Sequence, residues 1–194
     1  MMTLEPPRGL PADADPWSAV GLSRGGLTRF LRRAQEAVGL IGGVDVLLAG
    51  DTRLRRLNRE FRGKDKATDV LSFPAAEQFA GEHAGDLAIS LDTAKRQARE
   101  HGHSVRDEVR VLLLHGLLHL SGMDHETDRG EMAEREAELR EELRLPSGLI
   151  ARVEAQSGRH RPAPKKSRFR SGVTTKKTNG NARLRGKSGA KVVS

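Results

Sequence analysis

Three histidines stand within eleven residues of this chain, His115, His119 and His125, in the pattern H-x-x-x-H-x-x-G-x-x-H. The first two lie four residues apart inside an apolar run, VLLLHGLLHL. On an α-helix four residues advance about 6 Å and return to nearly the same face, so both imidazoles leave one side. Gly122 follows where such a helix should stop, because glycine takes the left-handed conformation of a helix C-terminus without a Cβ penalty. The chain can then reverse and bring His125 back toward the other two. A lone histidine on an apolar helix face is most often core. Three neutral imidazoles converging on one point are the ligand set of an open zinc site, with the fourth position left to water. One Zn2+ per chain is therefore expected, held by His115, His119 and His125.

The residue after the first histidine decides the chemistry. In H-E-x-x-H metallopeptidases a glutamate there is the general base. Here it is Gly116, which carries no proton, so the ligand spacing resembles the metzincin peptidases while their base is absent. An open zinc site still lowers the pKa of a coordinated water from about 15.7 toward ~7. Asp124 and Asp128 flank the last histidine; either can orient an imidazole, move a proton or close the site as a fourth ligand. Ser72 could face the same cleft. His83, His101, His103 and His160 lack partners at ligand spacing and read as incidental.

Composition narrows the setting. The 194 residues include no cysteine, so disulfides are excluded and a metal must rest on His, Asp or Glu. No apolar run approaches the ~20 residues of a membrane span, and the N-terminus has no secretory apolar segment. A cytoplasmic protein that engages no membrane is expected. The net charge of +8 is unevenly placed. Residues 155–194 hold 12 of the 34 Lys and Arg and none of the 26 acids, so the tail is +12 and the body −4. Such a tail, with Phe169 as its one aromatic, suits salt-sensitive, sequence-independent RNA binding and is expected to be disordered alone.

The histidines need elements to hold them. Helical spacing is predicted for Gly26 to Leu40, for Thr52 to Phe61 with Asp51 as its cap, for Thr93 to His101 with Asp92 as its cap, and for the histidine helix after Ser104. Glu126 to Arg144 reads as a charged helix with Met132, Leu139 and Leu143 as its buried stripe. Short strands are predicted at Val44 to Ala49, Val70 to Phe73 and Gly85 to Ser90. Together these give an α+β domain with a small mixed sheet and the histidine helix at its centre. Residues 1–20 are expected to be a flexible lead-in, 21–152 the folded domain and 153–194 the basic tail.

Three stretches carry a family resemblance: LNREFRGKDKATDVLSFP (Leu57 to Pro74), GDLAIS (Gly85 to Ser90) and HGLLHLSGMDH (His115 to His125). In this order they resemble the YbeY family, bacterial zinc-dependent endoribonucleases of ribosomal RNA maturation. The resemblance implies a small α+β fold, the three histidines as zinc ligands and Arg62 acting at an RNA phosphate. It further implies cleavage of single-stranded RNA, including 16S rRNA 3′-end maturation, and association with the small ribosomal subunit. The family's first strand has no legible counterpart before Trp17, Ala67 stands where relatives often have proline, and the basic tail lies outside the shared core. Arg62 also has a physical case, since a guanidinium beside Gly63 can clamp a phosphate bidentately. The competing readings are a metallopeptidase, which Gly116 opposes, and a noncatalytic RNA-binding factor with structural zinc, which an open three-histidine site opposes.

Overall fold

Apolar patterns of period two and period 3.6 alternate along the chain. In the computed structural model they become β1 (Met2–Leu4), α1 (Pro16–Ala19), α2 (Arg24–Val38), β2 (Gly43–Ala49), α3 (Asp51–Arg62), β3 (Val70–Pro74), β4 (His83–Ser90), α4 (Leu91–His101), α5 (Val105–Leu120) and α6 (Glu131–Leu143). The structure describes residues 1–146 except Arg8, Ala80 and Glu126. The boundary expected at residue 152 and the basic tail lie outside the described residues. Among those described, no helix is long and apolar enough to cross a membrane.

The fold is α+β with a four-stranded mixed sheet in the order β1-β2-β4-β3. β1, β2 and β4 run parallel, and β3 is an antiparallel edge strand on β4. Alternate residues feed two apolar layers, as the pleat requires. On one face Val46, Leu48, Val70, Leu87 and Ile89 join α2, α5 and α6 in the main core. On the other, Ala49, Leu71 and Ala88 pack against Leu54 of α3. α5 therefore crosses one face of the sheet and α3 covers the other.

α5 is apolar on every side and is accordingly buried, with 12 of its 16 residues shielded from solvent. Each Leu so placed contributes about 1.5–3 kcal/mol relative to exposure. Its start is fixed as the sequence predicts: the Asp107 N–H donates to Ser104 Oγ at 3.1 Å. His103 adds a second anchor there, its ring pairing with the fully buried Glu108 carboxylate. His83 pairs with Asp86 at 3.3 Å. Both have structural work, and His160 lies outside the described residues.

Four expectations change. The lead-in expected to be flexible carries β1, which pairs with Val46 to Leu48 and buries Met2 and Leu4. Three residues are too few for a period-two signal to register. Asp51 does not cap α3, whose N-cap is Gly50. Its carboxylate instead accepts from the Ser90 hydroxyl, the Thr93 hydroxyl and Arg96 of α4. Nor does Asp92 cap α4, whose cap is Ser90; Asp92 Oδ2 accepts the Asp51 N–H at 2.9 Å. The two helix starts thus exchange carboxylates across the sheet end. Finally, α6 begins at Glu131, because the Asp128 carboxylate accepts the Gly130 and Met132 N–H groups, each at 2.8 Å.

Candidate metal centre

The last two turns of α5 carry His115 and His119 on the side facing α6. Their spacing sets the first contact: the two Nε2 atoms stand 3.1 Å apart. Beyond the C-cap Ser121 the chain reverses through Gly122 at φ +93°, and the Met123 N–H donates to Leu118 O at 3.1 Å. A second turn, with the Thr127 and Asp128 N–H groups both donating to Asp124 O at 3.0 Å, holds the segment after it. His125 returns to the other two, its ring centroid 5.3 Å from that of His115 and 5.2 Å from that of His119. One donor atom from each of the three lies within 4.8 Å of the others. A cavity of about 420 Å³, lined by Gly122, Met123, Asp124, Thr127, Asp128, Arg129 and Glu131, opens at the segments that flank His125.

The donor chemistry tests whether a cation fits. His119 Nδ1 lies 2.9 Å from Met123 O, a carbonyl that can only accept, so this nitrogen carries the proton. His115 Nδ1 lies 2.9 Å from Glu136 Oε2 and donates likewise. In neutral rings both Nε2 atoms are then bare acceptors, aimed at each other at 3.1 Å. Two facing lone pairs repel, and a cation between them turns that repulsion into ligation. Burial, with the fields of His115 and His125, lowers the His119 pKa to about 3; the Met123 carbonyl and Asp124 only partly oppose this. His119 is therefore held in the neutral form a metal requires. The three histidines fit a divalent cation.

Glu136 is the residue that sequence reasoning passed over. It is 1 % exposed, sits on the buried stripe of α6 between Met132 and Leu139, and orients the His115 ring. Arg140 Nη1 stands 3.4 Å from its other oxygen. The signal was present: an acid and a base four residues apart inside an apolar stripe read as a buried pair. Asp128 was weighed instead, yet its carboxylate is committed to the start of α6.

Gly116 has a packing reason. A Cβ there would stand 2.7 Å from Leu87 Cδ2 and 3.4 Å from Ser72 Oγ. α5 lies so close to β3 and β4 that any larger residue here would have to push the Leu87 side chain aside. Ser72 is fully buried beneath it, its Oγ 3.4 Å from Gly116 O, and so supports the helix from below.

Arg62 is not among the histidines. It ends α3, on the far face of the sheet from α5, before the left-handed Gly63. Its neighbour Phe61 meets Phe73 of β3 edge-on, with ring centroids 5.1 Å apart, so this end of α3 lies against the strand whose Ser72 touches α5. Among the described residues the Arg62 side chain makes no ion pair or hydrogen bond.

Fold and site together define an α+β protein with a three-histidine centre that could hold a metal ion. Residues 26–144 match the family model described as "Endoribonuclease YbeY", and the chain belongs to the YbeY family. It is similar to the Endoribonuclease YbeY of Koribacter versatilis, 56% identical over 133 residues that make up 69% of this chain and 86% of that protein. The Solibacter usitatus protein of the same name is 54% identical over 134 residues, 69% of this chain and 88% of that one.

Proposed function

We propose that this chain is a zinc-dependent endoribonuclease acting on single-stranded RNA. The observation that carries the reading is the pair of bare Nε2 atoms facing each other beside His125, in a chain of the YbeY family. His115, His119 and His125 would hold the ion. Zinc so held supplies a Lewis acid for a phosphoryl oxygen and acidifies water at an open coordination position.

The chain's own residues do the rest. The Glu136 carboxylate fixes the His115 ring, and Met123 O fixes that of His119, so neither imidazole turns away. Arg62 carries an uncommitted guanidinium and would take a phosphate oxygen of the strand. The biological substrate in this proposal is ribosomal RNA, with the 16S 3′ end as the site matured, the small ribosomal subunit as partner and the cytoplasm as compartment. The twelve cations after residue 154 would add sequence-independent RNA affinity. Gly116 counts against a peptidase, since the position of the peptidase base is occupied by a glycine, which carries no carboxylate.

The test is to incubate metal-loaded protein with single-stranded RNA, duplex RNA and casein, with and without chelator. Chelator-sensitive cutting of single-stranded RNA alone is expected. Casein hydrolysis, or RNA cutting that chelator leaves untouched, would overturn the proposal.

A further inference from the structure

A second concave site lies at the other end of the sheet. The carboxyl ends of β1, β2 and β4, with the first turns of α3 and α4, frame a cavity of about 670 Å³. In open sheets with parallel strands this end is where ligands bind. Its lining is apolar at Val20, Ala49, Leu91, Pro6 and Pro7, and cationic at Arg53, Arg56 and Lys95. The histidines are remote from it, since Leu120, one residue past His119, packs over Gly85 near the start of β4.

Some arginines of α3 and α4 are matched: Arg55 and Arg59 share Asp65, at 2.7 and 3.9 Å, and Arg96 takes Asp51 at 2.9 Å, whereas Arg62 and Arg99 have no such partner among the described residues. Arg53, Arg56 and Lys95 make no ion pair or hydrogen bond among the described residues. Two carboxylates share the cavity, Glu5 and Asp92, and Asp92 is already turned onto the Asp51 N–H. Unmatched cations around a cleft concentrate anions there. The volume suits a nucleotide-sized group, and the prolines and aliphatic lining give a sugar or base an apolar surface.

We propose that the cavity framed by Arg53, Arg56 and Lys95 binds the phosphodiester backbone of single-stranded RNA. This rests on the endoribonuclease reading for the identity of the anion. It adds a second grip on the substrate, remote from the metal centre.

The experiment measures binding of a long single-stranded RNA to full-length, zinc-loaded protein over a salt series. Wild type is compared with Arg53→Gln/Arg56→Gln, with Lys95→Gln and with Arg32→Gln/Arg33→Gln, an equal-charge control on exposed residues of α2. Zinc content and melting temperature are read for each. Each lost phosphate contact should flatten the logarithmic salt slope by about 0.7. The double variant should therefore lose about 1.4 of slope and about tenfold in affinity at low salt, and Lys95→Gln about half that slope change. The control should match wild type. Slopes equal to wild type in both cavity variants, or an equal loss in the control, would overturn the proposal. So would inorganic phosphate or a mononucleotide binding wild type as tightly as the RNA does, because the cavity would then be a small-anion site. If the slopes change as expected but wild type cuts no RNA, the endoribonuclease reading fails and the RNA grip stands. If wild type cuts RNA and the slopes do not move, the grip alone fails.

Discussion

His115 and His119 each have one nitrogen role fixed by a neighbour that can only accept or that bears charge. Glu136→Gln keeps the shape beside His115 but removes the carboxylate that holds its tautomer. Zinc affinity, read by competition with a chromogenic chelator, should fall about 10–100-fold while the fold persists. An affinity equal to wild type would mean that Glu136 only fills space. Arg62→Ala should keep full zinc and an unchanged melting temperature but lose RNA cutting. Cutting at the wild-type rate would reduce Arg62 to a loop charge. The metal-free protein carries its own signature. His119 has a pKa of about 3 in the fold against 6.5 for an unperturbed histidine. Between those values the unfolded chain binds more protons, so stability is fully present above about pH 6.5 and declines as pH falls. At pH 5 the loss is on the order of 2 kcal/mol. Denaturant melts of chelator-treated protein at pH 7.5 and pH 5 should show it, and His119→Asn should reduce the difference. The ligand spacing was legible in the sequence because i, i+4 spacing and a glycine stop are local rules. Glu136 was not, because its meaning depends on α6 folding back over α5.

α5 shows how one element serves both packing and chemistry. Its apolar run demands cover on all sides, and that demand brings the sheet to within contact of Gly116. Gly116→Ala should destabilise by about 1–3 kcal/mol through overpacking against Leu87, a fully buried neighbour. A melt equal to wild type would show that Leu87 can move aside. The long helices and the strands β2 to β4 were readable from periodicity and from glycine and proline boundaries. β1 was not, since three residues among prolines gain strand identity only by adding to the edge of β2. Asp51 and Asp92 each had a capping residue type at a capping position. The sheet places the two helix starts side by side, and the carboxylates serve each other's helix or its neighbour instead. Local capping rules see one helix at a time.

At the scale of the molecule, charge and burial divide the work. The body carries −4 and brings three histidines together; three unmatched cations, Arg53, Arg56 and Lys95, line one cavity, and twelve more basic residues follow residue 154. In the proposed function, RNA is drawn by this surface charge toward the three-histidine centre. The central claim is that His115, His119 and His125 hold one zinc that RNA cutting requires. The most direct measurement is zinc content and single-stranded RNA cleavage, on the same preparations, for wild type and His119→Ala. Wild type should carry one zinc per chain and cut; the variant should have lost both metal and cutting. Full zinc in His119→Ala, or cutting that survives without it, would contradict the account.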